Sequence, residues 1–332
     1  MDLKESILKE IHKKGGWVNT HSHLDRAFTL SKKNFPYANA HLHQKWELVD
    51  ELKRTSTVSN IYDRMAYGVE KMLAQGVQAL GSFIDVDEVI KDKSIIAAQK
   101  IRDKYKKDIK IKYMNQVLKG VINKEARRWF DLGASFVDIV SGLPGRDKGH
   151  EEEHLDIVFD TAKKMGKMIH VHVDQLNTSK EKETDLLAKK TKEHKMEGKV
   201  VGIHGISIAA HPKEYRKKLY KQIKDAGLML ISCPTAWIDS IYVHSKDPNR
   251  IGVERSEEMA PIHNAILPVD ELLAEGITVG IGTDNINDIY KPFTDGDMWT
   301  ELRFMLESCR YYDVKELVKI ATINGLKVLG LT

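Results

Sequence analysis

The chain has 332 residues, of which 52 are basic and 48 acidic, and its formal net charge is +4. The two signs are interspersed, so no basic stripe of the kind that binds nucleic acid is present. With 42% hydrophobic and 30% charged residues, the composition is typical of a soluble globular protein with enough apolar material for a large core.

Membrane and disulfide signals are equally weak. No apolar run approaches the roughly 18 residues of a membrane span, and the charged N-terminus has no apolar signal core. Cys233 and Cys309 are too few for a disulfide framework or a cysteine zinc site. We therefore expect a cytoplasmic protein that binds neither membranes nor nucleic acid.

We expect one domain over residues 1–332. Residues 3–13 place apolar side chains at helical spacing, which predicts a leading helix within residues 1–15. A Gly-Gly pair ends this helix, and residues 17–21 are typical of a first strand.

Residues 27–55 show little periodicity. A long loop inside a compact domain is usually functional, so we predict an active-site loop over this range. His41 and His43 repeat a His-x-His spacing within it, and we interpret them as substrate-loop or surface histidines.

From residue 57 onward, helical and strand patterns alternate, and a glycine separates many of them. Strands are predicted over 77–83, 109–116, 136–140, 168–172, 200–204, 228–232 and 277–284. Helices are predicted near 57–75, 87–106, 123–132, 151–165, 180–196, 213–226, 268–275, 297–309 and 314–328. With the first strand, the pattern predicts an α/β fold of the closed (β/α)8 TIM-barrel type. The alternative, a doubly wound open sheet, would place a Gly-x-Gly-x-x-Gly run after the first strand, and none stands there.

Potential metal ligands stand at the carboxyl ends of several predicted strands, where the active sites of such barrels lie. His21 and His23 share one face of a strand end, about 7 Å apart along the chain. Polar side chains of the same kind end later strands, at Gln116, His172, His204 and Asp284. Imidazoles and a carboxylate around an open position suit Zn²⁺ or Fe²⁺, which lowers the pKa of a bound water.

The ordered set of motifs resembles a known family over residues 16–328. Four motifs resemble the signature of the amidohydrolase superfamily, in its cytosine deaminase-like branch. They are His21-Ser22-His23-Leu24-Asp25, His172-Val173-Asp174, His204-Gly205-Ile206-Ser207 and Gly282-Thr283-Asp284-Asn285. Within this branch, the chain looks most like the N-isopropylammelide (triazine) amidohydrolase subgroup, where Asp-Asn also follows the eighth strand. That subgroup has a lysine after the first motif, at the position of Arg26.

The resemblance implies a site with one divalent metal ion per chain, Zn²⁺ in first place and Fe²⁺ or Mn²⁺ as alternatives. Its ligands would be His21, His23, His172 and Asp284. The catalytic residues would be His204, which polarises the substrate or stabilises the developing anion, and Asp284, which accepts a proton from the bound water. The implied reaction is hydrolysis of a C–N bond of a small nitrogen heterocycle, an aminotriazine or aminopyrimidine, through metal-activated hydroxide.

The resemblance also assigns residues around this centre. Gln116 would hydrogen-bond the amide edge of the ring, and the other substrate-binding residues would be Arg26, Gln175 and Asn285. Asp25 and Asp174 are expected to orient ligand imidazoles, whereas His170 is interpreted as a supporting or core histidine. Three aromatic residues are candidates for stacking on a flat ring, namely Trp237, Tyr290 and Trp299.

Gln175 departs from the pattern, because cytosine deaminases have a glutamate there that carries a proton to the ring. Glutamine cannot transfer a proton, and such groups contribute about 10²–10⁴ in rate. This leaves an altered homologue acting on a different amide or cyclic amide, or a ligand-binding protein, as alternatives. The retention of His204 and Asp284 favours an enzyme.

Two further expectations concern the architecture. A two-metal phosphoesterase would need a bridging ligand at the fourth strand, which instead ends Val140-Ser141-Gly142, so one metal is favoured. The accessory β-sandwich of most relatives has no counterpart in the sequence, so we expect a barrel without it. Barrel surface left uncovered would then be buried in a homo-oligomer, a dimer or tetramer.

Overall fold

The computed structural model describes residues 2–40, 42–236 and 266–332, so His41 and Trp237 lie outside the described residues. The described strands are β1 Trp17–Asn19, β2 Val77–Asp85, β3 Lys110–Gln116, β4 Ile139–Gly142, β5 Met168–Val173, β6 Val200–His204, β7 Met229–Ser232 and β8 Val279–Ile281. The described helices are α1 Leu3–Lys13, α2 Leu42–Thr55, α3 Val58–Ala74, α4 Lys93–Tyr105, α5 Lys124–Phe136, α6 Glu151–Met165, α7 Glu183–Glu193, α8 Lys213–Asp225, α9 Val269–Ala274, α10 Met298–Ser308, α11 Val314–Ala321 and α12 Ile323–Val328.

The eight described strands are parallel and pair in chain order from β1 to β8. The N–H of Thr20 donates to the carbonyl of Ile281 at 2.9 Å, and the N–H of Asp284 donates to the carbonyl of His21 at 2.9 Å. These bonds join the last strand to the first, and the helices pack outside the sheet. The predicted (β/α)8 TIM barrel is confirmed.

Side chains of the strands alternate between the barrel interior and the layer beneath the helices. In β2, Ala79 and Phe83 belong to the interior cluster, whereas Leu80 and Ile84 pack in the outer core. The ring of Phe83 lies 4.9 Å from that of His21, centroid to centroid. The apolar interior therefore forms the floor on which the strand-end histidines rest.

The prediction of a long loop over residues 27–55 was wrong for its second half. Leu42–Thr55 form α2, which follows a 3-10 turn at Phe35–Asn39. Leu42, Trp46 and Val49 are the buried apolar face of this helix. Lys53 is buried beside them and donates to Asp87 at 2.5 Å, which fastens the helix to the chain after β2.

Several strand boundaries also differ from the prediction, and the eighth strand, predicted over 277–284, spans only Val279–Ile281, so Asp284 follows it. The fourth strand begins at Ile139 because α5 continues to Phe136, and the carboxylate of Asp138 accepts from the N–H of Tyr113 at 2.8 Å. The first strand ends at Asn19, so His21 follows it. Among the helices of the described ranges, none has both the length and the apolar character to cross a bilayer.

Candidate metal centre

The strand-end residues converge at the mouth of the barrel. His21 and His23 follow β1, His172 lies in β5, His204 ends β6, and Asp284 follows β8. Nε2 of His21 lies 3.1 Å from Oδ1 of Asp284, and Nε2 of His23 lies 3.3 Å from the same oxygen. One ligand atom from each of His21, His172 and His204 also falls within 4.8 Å of the others.

The backbone turns sharply where these side chains leave their strands. His204 has φ of 75° and Asp284 has φ of 56°, a left-handed conformation that is uncommon for residues with a side chain. A Cβ at Gly282 would lie 2.7 Å from the Cβ of His21, so only glycine lets the end of β8 approach so closely. Strain and close approach of this kind cluster at functional sites.

The donor set fits a divalent metal ion. The Nδ1 atoms of His21, His172 and His204 are buried and have no hydrogen-bond partner among the described residues. Burial lowers the pKa of His204 to about 3 and that of His172 well below its usual range, which keeps both imidazoles neutral, as metal ligands must be. Three imidazoles and one carboxylate, as in the predicted ligand set, are typical of zinc sites.

The carboxylate of Asp284 carries the negative charge of this group. Burial disfavours that charge, but hydrogen bonds from His21 and His23 hold the pKa of the carboxyl well below its usual range. A charged carboxylate among neutral imidazoles can both bind a cation and accept a proton. The arrangement therefore supplies the two properties that hydrolysis by a metal-activated water requires.

A pocket opens above this group, with about 460 Å³ of space including its mouth. All the predicted site residues line it except His21, which lies fully buried beneath: His23, Arg26, Gln116, His172, Gln175, His204, Asp284 and Asn285. The structure thus brings the nine predicted residues to one place. Their individual roles stay predictions.

Arg26 is held from several sides. Its guanidinium donates to Asp85 at 3.1 and 3.3 Å and to Nδ1 of His23 at 3.0 Å, and it lies 5.0 Å over the ring of Tyr290. Because arginine can only donate, the proton of a neutral His23 lies on Nε2 in this arrangement. Metal ligation by a neutral His23 through Nε2 therefore requires the proton to lie on Nδ1 instead, which breaks the hydrogen bond from Arg26.

The expectation that Asp25 and Asp174 orient ligand imidazoles was wrong. Asp174 accepts from the backbone N–H groups of Glu183 and Thr184, at 2.7 and 3.2 Å. Asp25 accepts from the N–H of Asp85 at 2.7 Å. Asp25 thus binds the end of β2 and Asp174 the start of α7, because buried backbone donors there need acceptors.

Other predictions can be compared with the described site. His170 is a core histidine whose Nε2 bonds to the carbonyl of Val328 at 3.0 Å. Tyr290 lines the pocket. Trp299 does not line it and packs under Lys4, whose Nζ lies 5.1 Å from the ring.

Sequence reasoning missed several lining residues. Leu42, Lys45 and Trp46 reach the pocket from α2, which had been interpreted as loop. Lys291 lies seven positions after Asp284, in the loop after β8, and is 4% exposed. Its position in a strand-end loop was the available signal, but a lysine in such a lysine-rich chain suggests a solvated surface.

Comparison with known proteins shows the family to which the chain belongs. The model of the amidohydrolase family matches residues 15–332. An uncharacterized protein of Haemophilus influenzae is 51% identical over 277 residues, which cover 82% of this chain and 96% of that protein. N-isopropylammelide isopropyl amidohydrolase of Pseudomonas sp. strain ADP is 26% identical, over 99% of this chain and 79% of that enzyme.

Solved structures share the fold. The crystal structure of 5-methylcytosine deaminase from Klebsiella pneumoniae with 5-fluorocytosine superimposes with a TM-score of 0.83 at 21% identity. The match covers 95% of this chain and 74% of the deaminase.

Proposed function

The chain belongs to the amidohydrolase family of hydrolases that act on carbon–nitrogen bonds, and we propose that it is a mononuclear metal-dependent enzyme for small nitrogen heterocycles of the aminotriazine or aminopyrimidine type. The observation that carries this proposal is the convergence of His21, His23, His172, His204 and Asp284 at the floor of one pocket. Hydrolysis of an exocyclic C–N bond would release ammonia or an amine.

The proposed ligands are His21, His23, His172 and Asp284. A divalent ion held there, Zn²⁺ in first place and Fe²⁺ or Mn²⁺ as alternatives, would lower the pKa of a water molecule toward neutrality and so supply a nucleophile. Asp284 accepts the proton that this water loses when its oxygen bonds to the ring carbon. The same carboxyl then gives the proton to the departing nitrogen as the C–N bond breaks.

His204 acts on the substrate in this scheme. Its imidazole faces the pocket beside Asp284 and has little exposure to solvent. An N–H aimed at the ring atom that gains negative charge stabilises the transition state more than the ground state. His204 is close enough to His21 and His172 to be a metal ligand itself, so metal content must be measured whenever it is changed.

Amide side chains are suited to recognise the ring. Gln116, Gln175 and Asn285 line the pocket, and Oε1 of Gln116 is buried with no partner among the described residues. An amide offers a donor and an acceptor side by side, which matches the alternating N–H and C=O groups of an oxidised triazine or pyrimidine. A substrate that fills these positions satisfies groups that the protein leaves open.

Gln175 supports a second candidate function. Its side chain faces the pocket where cytosine deaminases of the resembled branch have a glutamate, and an amide cannot carry a proton to the ring. Such a site suits an already activated ring, such as a triazine, or a different amide or cyclic amide. Binding without turnover is the remaining alternative.

The test is the release of ammonia or alkylamine by metal-loaded protein from aminopyrimidines, aminotriazines and N-alkyl triazines, with Asp284→Ala as the control. Turnover that disappears in the variant supports the hydrolase, and a preference for triazines over cytosine agrees with Gln175. Absence of turnover across the panel, with about one metal ion bound per chain, would contradict the proposed substrate class.

A further inference from the structure

Cationic side chains surround the substrate pocket. Arg26, Lys45 and Lys291 line it, and each is at most 4% exposed. Among the lining residues of the described chain, Asp284 has the only carboxylate, and that group is assigned to the metal and the proton. Arg26 is paired with the carboxylate of Asp85 at 3.1 Å, so its charge needs no ligand.

Lys291 has two acceptors among the described residues, one of them a carboxylate. Its Nζ donates to the carbonyl of Thr283 and lies 3.5 Å from Oε1 of Glu301. The carboxylate of Glu301 already accepts from the N–H and the hydroxyl of Thr235, at 3.0 and 2.5 Å. Burial raises the pKa of Glu301, and the neighbouring charge of Lys291 opposes that shift. An ammonium group has three protons, so Lys291 can serve a further acceptor from the pocket.

The loop after β8 fixes Lys291 in place. The carboxylate of Asp288 accepts from the N–H of Tyr290 at 2.8 Å, from the N–H of Lys291 at 3.1 Å and from the amide of Asn285 at 2.5 Å. One buried aspartate therefore organises Asn285, Tyr290 and Lys291, three of the pocket residues in this loop. A donor held in this way needs little reorganisation when a ligand binds.

We propose that the substrate is an acidic heterocycle, an anion at neutral pH through an ionised ring oxygen or a carboxylate, and that Lys291 selects it by pairing with that charge. This inference rests on the proposed function and narrows its substrate class. A charge-assisted hydrogen bond in a pocket shielded from water is stronger than a neutral one, so the anion gains more than its neutral analogue. Arg26 and Lys45 also make the pocket positive. The assignment of Lys291 as the group that pairs with the anion does not depend on them.

The test is calorimetric titration of Zn²⁺-loaded protein with barbiturate, an anionic pyrimidine at neutral pH, and with uracil, a neutral ring with similar amide edges. We expect wild-type protein to bind barbiturate about 10-fold or more tightly than uracil. In Lys291→Met, that ratio should fall to within about 3-fold, through weaker barbiturate binding alone. Lys190→Met removes a buried, paired lysine far from the pocket and should leave both affinities unchanged.

The metal ion also attracts anions. The anion preference is therefore assigned to Lys291 only if it is lost in Lys291→Met. Equal affinities in wild-type protein, or a barbiturate preference that survives in Lys291→Met, would overturn the proposal. Lys291→Gln retains a donor for the Thr283 carbonyl without the charge and should lose the preference as well, which keeps the test valid if the methionine variant does not fold. Turnover of neutral rings without an anion preference would refute only this inference. An anion preference that depends on Lys291 but is accompanied by no turnover would refute only the hydrolase.

Discussion

Buried histidines occur in two regions of the barrel and differ in whether Nδ1 of the imidazole has a hydrogen-bond partner. In the chain after β4, His154 has Nδ1 2.7 Å from a carboxylate oxygen of Asp147, and its Nε2 accepts from the N–H of Leu143 at 2.9 Å. At the strand ends, His21, His172 and His204 are as deeply buried, but their Nδ1 atoms have no partner among the described residues. Burial lowers the pKa of the imidazole in both regions. An open Nδ1 is therefore compatible with ligand binding but does not by itself identify a ligand, because the core histidine His170 has one as well.

The largest effect is expected at the strand ends, where the Nδ1 atoms of three histidines have no partner among the described residues. Asp284→Ala removes a proposed metal ligand and the proposed proton acceptor together, so we expect kcat to fall by about 10³-fold or more. Metal content, measured by elemental analysis, should fall too, while the melting temperature of metal-free protein should change little. A variant that keeps both metal and turnover would contradict the assignment of Asp284.

His204→Asn separates substrate polarisation from metal binding. We expect kcat to fall by about 10²–10³-fold, the usual loss when one donor to a developing anion is removed. Metal content should stay near that of wild type. Loss of the metal would instead place His204 among the ligands, which its distance to His21 and His172 also permits.

Gln175→Glu adds an acid to the same region. If the missing proton donor limits cytosine turnover, the variant should deaminate cytosine up to about 10²-fold faster than wild type. Steady-state assays with cytosine and with an aminotriazine would show whether the gain is confined to the less activated ring. Equal changes on both rings would remove Gln175 as the reason for any triazine preference.

His154→Ala tests the buried histidine after β4, both of whose ring nitrogens have hydrogen-bond partners. It leaves the carboxylate of Asp147 and the N–H of Leu143 without their partner, so we expect the free energy of unfolding to fall by about 2–4 kcal/mol. Turnover per folded molecule should be unchanged. His172→Ala is the matched control, and in metal-free protein it should cost less stability while abolishing metal-dependent turnover.

The smallest effect concerns pH. Burial lowers the pKa of His154 in the folded chain, against the opposing influence of Asp147, so the unfolded chain takes up the proton first as pH falls. The stability contributed by His154 is complete above the ordinary imidazole pKa near 6.5 and decreases below it, by up to about 1.4 kcal/mol per pH unit. Chemical denaturation at pH 7.5 and 5.5 should therefore show a smaller difference between wild type and His154→Ala at the lower pH. A difference that grows on acidification would contradict the neutral state of His154.

The sequence predicts the barrel because its repeating unit depends on local patterns, and the residues predicted for the site do converge in the structure. Glycines after helices and short apolar strands mark the repeating unit, and His21, His172 and Asp284 stand at predicted strand ends. Helix α2 was missed because its buried face includes charges: Lys53 is 2% exposed and needs Asp87, 34 residues away, as its partner. A pattern that counts every lysine as exposed cannot detect such a face.

The role proposed for Lys291 depends on the same kind of non-local information. Its surroundings come from Thr283 and Glu301, and the second of these lies on α10. Likewise, Asp25 and Asp174 belong to the motifs, yet their partners are backbone amides at the end of β2 and at the start of α7, which the motifs do not indicate. Motifs locate the chemistry, whereas the electrostatic surroundings of each group require the fold.

The junction between β8 and β1 has a consequence for biosynthesis. His21 and Asp284 are 263 residues apart, and one of the hydrogen bonds that close the barrel joins these two residues. Because a ribosome delivers the chain from its N-terminal side, His21 and His23 are made long before Asp284, the carboxylate that completes the proposed metal site. Binding of a metal ion by all four proposed ligands therefore requires that the last strand has docked, and a nascent chain that stops before β8 lacks one of those ligands.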